Sequence, residues 1–498
     1  MPEPPRVVVW DTGSLSYPSA APYHPSVAYP EYPFGTENVG PENRVYNGIR
    51  EMFCAWGLDV QAFGTPQWNP LSALVQPGNT VILKPNFVIS EHPLGQPGIE
   101  AAVVHGSVLR ALIDYVYLAL KGEGRIIVAD SPIKEVDFQR VTELTGIANV
   151  AEFYNRHAGV AVELLDFRDV YVRRNDAGFM VDLQPLPGDP AGYTLVDLGN
   201  KSMFHEVTAH RHRLRSTAVF YENVMDDFHN EAHNIYSAPN TLLNADVVIS
   251  VAKLKTHRKG GVTLSLKNAV GITNEKRALP HHRVGSPKNG GDAYADNARW
   301  DARFEDAFRD TVLSHRSGRI ALKALGGPLR FAAKNIFKPF FRRMNAAPPD
   351  EVEGDWYGND TVWRMALDLN HVLFYADKHG VLQETPQRRY LSVIDGIVAG
   401  EGEGPLFPTP KPCGILIAGT HPVLVDVVGT RLMGFDWTKV PMVREALQRD
   451  WPLQPDISMD QEFIVSNRSE WQEIFANHTP VFTFQPSRGW REHVELRE

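Results

Sequence analysis

Thr80-Val81-Ile82-Leu83-Lys84-Pro85-Asn86, then Ala101 to Leu120, then Arg125-Ile126-Ile127-Val128-Ala129-Asp130 read as a strand, a helix and a second strand. The two short runs are apolar at consecutive positions, which suits strands covered on both faces. Between them Val104, Val108, Leu112, Val116 and Leu120 recur every four residues, the spacing of a helix with one buried stripe. Gly122 and Gly124 end that helix, and Pro85 ends the first strand so that Lys84 and Asn86 stand at its tip. A strand, a helix of about five turns and another strand make a βαβ unit, and so predict a parallel sheet.

The pattern extends in both directions. Val7 to Trp10 is a short strand stopping at Asp11-Thr12-Gly13, residues 14–45 are a Pro- and Tyr-rich surface loop, and Asn43 to Trp56 is helical. Further on, Ala245 to Val251, Leu391 to Ile394, Gly414 to Gly419 and Phe463 to Val465 read as strands, and Thr361 to Ala376 and Val423 to Leu432 as helices. The predicted fold class is α/β, a mainly parallel sheet flanked by helices. Its core comprises residues 1–160, 241–285 and 358–498, with an antiparallel β-rich insertion over 161–240 and an irregular, basic helical insertion over 286–357.

Composition narrows the function. The 498 residues carry a formal charge of -9, which argues against bulk nucleic-acid binding, since that needs a basic face. Cys54 and Cys413 are the two cysteines, too few for an iron–sulfur cluster or a secreted disulfide framework. The start of the chain lacks the basic opening and long apolar run of a signal peptide, and no segment reaches the roughly 18 apolar residues of a spanning helix. The expectation is a cytoplasmic protein.

Four predicted strands end in polar clusters. Val81 to Leu83 runs into Lys84 and Asn86, Ile126 to Ala129 into Asp130, Val247 to Val251 into Lys253, Lys255 and His257, and Ser392 to Ile394 into Asp395. Ligands of open α/β sheets bind beyond the carboxyl ends of the strands, so these residues predict one shared pocket. The densest segment is Lys253 to Asn268, where a strand opens into a Gly-Gly turn and a helix begins near Thr263. Helix-start amides with Lys253, Lys255 and Lys267 suit a phosphate or carboxylate. A solvated basic loop is the competing reading, but Lys267 follows Val262, Leu264 and Leu266, which points to a partly buried lysine that needs an anion. Lys84, Asn86, Lys253, Lys255 and Asn268 are therefore expected to hold the anion. His257, Asp130 and Lys267 are expected to act on it.

Several of these motifs together resemble the domain-of-unknown-function family 362. They are Ile82-Leu83-Lys84-Pro85-Asn86, Asp130-Ser131-Pro132, Lys253-Leu254-Lys255-Thr256-His257, Leu266-Lys267-Asn268-Ala269-Val270-Gly271, Leu279-Pro280-His281-His282-Arg283 and Asp395 to Pro405. The resemblance implies an α/β core over roughly residues 75 to 445. Many relatives carry a cysteine-rich, ferredoxin-like module that this sequence lacks, so no iron–sulfur cluster is expected.

Metal chemistry has two candidate sources. Asp395-Gly396 and Glu401-Gly402-Glu403-Gly404-Pro405 read as a tight loop over a ligand, with Asp395, Glu401 and Glu403 holding a divalent ion such as Mg²⁺ or Mn²⁺. His229 and His233 would share one face of a helix, the geometry used for Zn²⁺, although a polar surface stretch is the leading reading of Asp226 to His233, which lacks the full metalloprotease motif. His281 and His282 add to the imidazoles near His257, and Arg364 and Asp368 are spaced for an intrahelical ion pair. From residue 315 to 344, eight Lys or Arg and no acidic residue alternate with aromatics, a pattern for peripheral contact with an anionic membrane or for a helix pair packed on the core. No nucleotide-type glycine motif, nicotinamide motif or Gly-x-Ser-x-Gly elbow is present. The leading expectation is an enzyme acting on a phosphorylated or carboxylated small molecule with divalent-metal assistance, in glycan or natural-product biosynthesis. The alternative is a non-catalytic anion-binding or membrane-associated assembly protein.

Overall fold

The computed structural model describes residues 6–174, 180–216, 224–298, 303, 353–457, 463–476 and 479–497. The basic stretch 315–344 lies outside the described residues.

Eight strands form the backbone of the main sheet: β1 (Val7–Asp11), β2 (Thr80–Pro85), β3 (Arg125–Asp130), β4 (Val162–Asp166), β5 (Val247–His257), β6 (Arg389–Glu403), β7 (Phe407–Gly419) and β8 (Ile464–Ser466). Their order across the sheet is β8-β1-β7-β6-β5-β2-β3-β4, and the two-residue strand Gly261–Val262 folds back on the end of β5. β4, β3, β2, β5 and β6 run parallel to one another, whereas β7 runs antiparallel to both β6 and β1. Small antiparallel pairs join Val170–Arg174 to Met180–Pro185 and Tyr193–Asp197 to Ile235–Pro239.

The chain order fixes one special place. From β2 the chain steps outward to β3 and β4, then returns to lay β5 on the opposite side of β2. Connections diverge there, and at such a switch point open α/β sheets take their ligands beyond the carboxyl ends of the strands, here β2 and β5.

Helices cover both faces, each with its own apolar core. On one face lie α1 (Arg44–Ala55), α2 (Gln96–Ala102), α3 (Gly106–Leu120) and α4 (Ile147–His157); on the other lie α5 (Leu264–Asn268), α6 (Val362–Tyr375) and α7 (Pro422–Leu432). All eleven residues of β5 are buried. Val247, Ile249 and Val251 enter one core and Val248, Ala252 and Leu254 the other, which is why the strand reads as a continuous apolar run.

Four local readings change. The periodic stretch 101–120 is two helices, because Val103 and Val104 break the first and His105 caps the second by accepting a bond from Ser107 N at 3.1 Å. Val162–Asp166 is the edge strand of the main sheet rather than part of an antiparallel insertion. β5 runs on through Lys253, Lys255 and His257 instead of stopping at Val251. The glycine-rich segment after Asp395 continues β6 as far as Glu403, paired residue by residue with β7 apart from a bulge near Gly396. Backbone pairing has overridden the turn-forming tendency of its glycines. Among the described residues no single helix is long and apolar enough to cross a membrane.

Candidate functional site

Three groups of polar side chains gather where β2, β3, β5 and β6 end. The first is Lys84, Asp130 and Asn268. Lys84 Nζ donates to Asp130 Oδ1 at 2.8 Å, to Asn268 Oδ1 at 3.0 Å and to Pro85 O at 3.0 Å, so all three of its protons are used. Asp130 also accepts from Phe87 N and Ser131 N, both at 2.9 Å. Asn268 Nδ2 returns bonds to Lys84 O and Ser250 Oγ, which stitches β2 to β5 at the point where the strand order reverses. Gly271 lies directly over this ion pair: a Cβ there would stand 2.2 Å from Asp130 Oδ1 and 2.5 Å from Lys84 Nζ. Burial lowers the Lys84 pKa and Asp130 counters that shift. The trio is sealed and self-neutralised, and it ties the ends of β2, β3 and α5 together. Asn86, beside it, has a buried Oδ1 without a hydrogen-bond partner.

The second group surrounds Lys253 and Asp395, which are register partners on adjacent parallel strands and both fully buried. Lys253 Nζ bonds Asp395 Oδ2 at 3.0 Å and Tyr17 OH at 2.6 Å, and Tyr17 donates to Asp395 Oδ1 at 2.6 Å. Tyr17 comes from the long amino-terminal loop and stacks on His105, ring centroids 4.1 Å apart. Burial and then the nearby Lys253 charge push the His105 imidazole down to about 3, so it stays neutral. Tyr17 and His105 escaped the sequence reading. Tyr17 sits in a loop without periodicity, while the signal for His105 was Gly106 interrupting an otherwise helical run.

The third group consists of buried basic side chains, Lys255, Lys267, His257 and His281, with no carboxylate bonded to them among the described residues. Lys255 is fully buried, and its ammonium bonds Ala102 O, at the carboxyl end of α2, and Pro405 O at 3.3 Å. Burial, then Lys253 and Lys267, hold its pKa well below the usual lysine value. Lys267 on α5 is 8 % exposed and has no hydrogen-bond or carboxylate partner among the described residues. Burial, then Lys259 and Lys84, bring its pKa down to about 7. His257 and His281 are held neutral by burial and by the charge of Lys267. Lys259 and Arg258 do have a carboxylate, Asp355, at 3.0 and 3.4 Å.

α5 presents Lys267 and Asn268 because a carboxylate from another element starts it. Asp426, on α7, accepts from Ser265 N at 2.7 Å and Leu266 N at 2.9 Å, and Asn370 Nδ2 on α6 bonds Leu266 O at 2.9 Å. A lone aspartate within the apolar run Val423 to Leu432 was the sequence signal for this anchor.

The proposed metal ligands do not converge. Asp395 is taken by Lys253 and Tyr17; Glu401 pairs with Lys411 at 3.0 Å and accepts from Gln485 N; Glu403 accepts from Arg488 N at 3.1 Å. Asp395 and Glu401 are six positions apart on β6, across the register shift that follows Asp395, and each is engaged by different partners. His229 follows a four-residue helix and bonds Ala278 O and Asn234, while His233 bonds Asn230 and Asp227 O, so no helix face joins the two. Among the described residues there is no group of three or more His, Cys, Asp or Glu able to hold a metal. Arg364 pairs with Asp360 and Glu206 rather than with Asp368. Asp368 instead accepts from Ser202, Met203 N and Tyr236, and burial raises it to about 7.

The fold and this geometry define a class: an α/β protein with an uncompensated lysine–histidine cluster at the switch point of a largely parallel sheet. The chain belongs to the family described as domain of unknown function (DUF362), whose model matches residues 81–183 and 188–431. No curated protein matches it.

Proposed function

We propose that this DUF362 protein is an enzyme that binds a phosphorylated or carboxylated small molecule beyond the carboxyl ends of β2 and β5 and moves a proton on it. The observation that carries this reading is Lys267, a buried amine with no hydrogen-bond or carboxylate partner among the described residues, near enough to the buried Lys255 for its charge to bear on it. A buried cation costs several kcal/mol unless an anion pairs with it, so two buried amines whose pKa is lowered are suited to taking up a proton when negative charge arrives. An amine with a pKa of about 7 also exchanges its proton readily at neutral pH, which suits acid–base work. His257 supplies a second titratable group. Asn268, Lys84 and Asp130 fix the backbone that presents them.

The carboxylates expected to hold a divalent ion are spread out and engaged elsewhere, so the proposal rests on lysine and histidine. Equilibrium titration with pyrophosphate and with malonate tests it. Wild-type protein should bind at least one of them, and Lys267→Met should weaken that binding by a factor of about 100, the usual worth of a buried charge-assisted contact. Equal affinity in the variant would remove Lys267 from the site. Binding retained by the wild type with no turnover across a metabolite panel would favour the non-catalytic alternative.

A further inference from the structure

His257 and His281 are held in opposite tautomers. Nδ1 of His257 accepts from two backbone amides, Lys259 N at 3.1 Å and Gly260 N at 3.2 Å. An amide only donates, so that nitrogen is bare and the neutral ring carries its proton on Nε2. Nδ1 of His281 lies 2.9 Å from Leu279 O. A carbonyl only accepts, so here Nδ1 carries the proton and Nε2 presents a lone pair. Neither Nε2 has a hydrogen-bond partner among the described residues.

The two rings belong to one neighbourhood. The His281 charge bears on His257, and the loop before α6 joins their segments: Asn359 Nδ2 bonds the backbone His281 O at 2.9 Å and Gly354 O at 3.0 Å, and Lys259, two residues after His257, bonds Glu353 O and, at 3.0 Å, Asp355 through Nζ. Lys267 is the charge that weighs most on both histidines.

We infer that the anion held at Lys267 is bracketed by a hydrogen-bond donor, His257 Nε2–H, and a base, His281 Nε2. This rests on the anion-site reading above and names its substrate class: a molecule carrying, beside its anionic group, a removable proton and an oxygen that gains charge when the proton leaves. In the step, the substrate X–H bond breaks and its proton goes to His281 Nε2, forming an imidazolium. The electron pair stays on the substrate and spreads to the oxygen held by His257, which keeps its own proton. Neutral imidazole suits that donor role, because an imidazolium would surrender its proton. A bound anion beside Lys267 raises the basicity of His281, which burial and the charges of Lys267 and Lys259 otherwise suppress.

Nitrogen-15 NMR of the full-length chain labelled at histidine tests the assignment. His257→Phe and His281→Phe identify the signals, and two-bond couplings report which ring nitrogen is protonated. The expected result is an Nε2–H tautomer for His257 and an Nδ1–H tautomer for His281, with both Nε2 resonances moving on addition of malonate or pyrophosphate. An Nδ1–H tautomer at His257 or an Nε2–H tautomer at His281 would overturn the inference while leaving anion binding intact. Shifts that persist unchanged in Lys267→Met would overturn the anion-site reading instead, and with it the bracketing.

Discussion

A lysine inside a protein is informative according to what it touches. Lys84 and Lys253 touch aspartates and are neutralised, Lys255 touches carbonyl oxygens, and Lys267 touches no such group among the described residues. The sequence singled out all four from their positions at predicted strand ends, but it was silent on which were spent, since pairing depends on contacts between residues as far apart as 84 and 130 or 253 and 395. Lys267 makes a distinct prediction for stability. Its folded pKa of about 7 lies below the ordinary 10.5, so between those values the unfolded chain binds more protons than the native one. Stability therefore rises with pH across that window, and the penalty, on the order of 5 kcal/mol, is fully present below pH 7. Lys267→Met should be more stable than wild type at pH 6 to 7, and the difference should shrink towards pH 10. Urea unfolding at a series of pH values checks this; a constant difference would show that Lys267 is not desolvated.

At the scale of elements, residues were read better than boundaries. The strand–helix–strand unit around Ala101 to Leu120 was legible because each piece has a strong hydrophobic period. The break at His105 was not, because the apolar residues on either side keep in step across it. β5 and β6 were cut short for a different reason: Lys253, Lys255, Asp395 and the glycines after it look like turn chemistry. They pair as strands because Lys253 meets Asp395 in register and because β7 offers a continuous antiparallel partner. The turn from α5 over the Lys84–Asp130 pair is likewise set by fit. Gly271→Ala should force that pair apart and cost about 1–3 kcal/mol, the range for overpacking a closed interior, with a matching fall in melting temperature. An unchanged melting temperature would mean that the pair lies loosely under the turn. Asp130→Ala goes further. It leaves a buried lysine unpaired and should cost roughly 3–5 kcal/mol, much of it recovered in the Lys84→Met, Asp130→Ala double variant.

At the scale of the whole molecule, the site follows from chain order. A sheet that grows outward through β2, β3 and β4 and then inserts β5 beside β2 creates a switch point, and β5 is long enough to carry Lys253, Lys255 and His257 past the end of its neighbour. The α/β class was readable from the strands and helices, whereas strand order was not, because no local pattern says that β5 returns to β2. The same order brings in Tyr17 from the amino-terminal loop and Asp426 from α7, residues far along the chain from the lysines they support. The carboxyl-terminal segment closes the arrangement: Trp490, 1 % exposed, packs over Gly261 and donates to Arg258 O at 2.5 Å. The central claim is that an anion completes this basic cluster, and proton uptake on binding tests it most directly. Calorimetric titration of pyrophosphate or malonate at pH 8, in buffers of different ionisation enthalpy, counts the protons taken up. An anion that pairs with Lys267 raises its pKa from about 7, so binding should draw in close to one proton, and affinity should fall as pH rises above 7. Binding with no proton uptake, or with uptake that survives in Lys267→Met, would contradict the account.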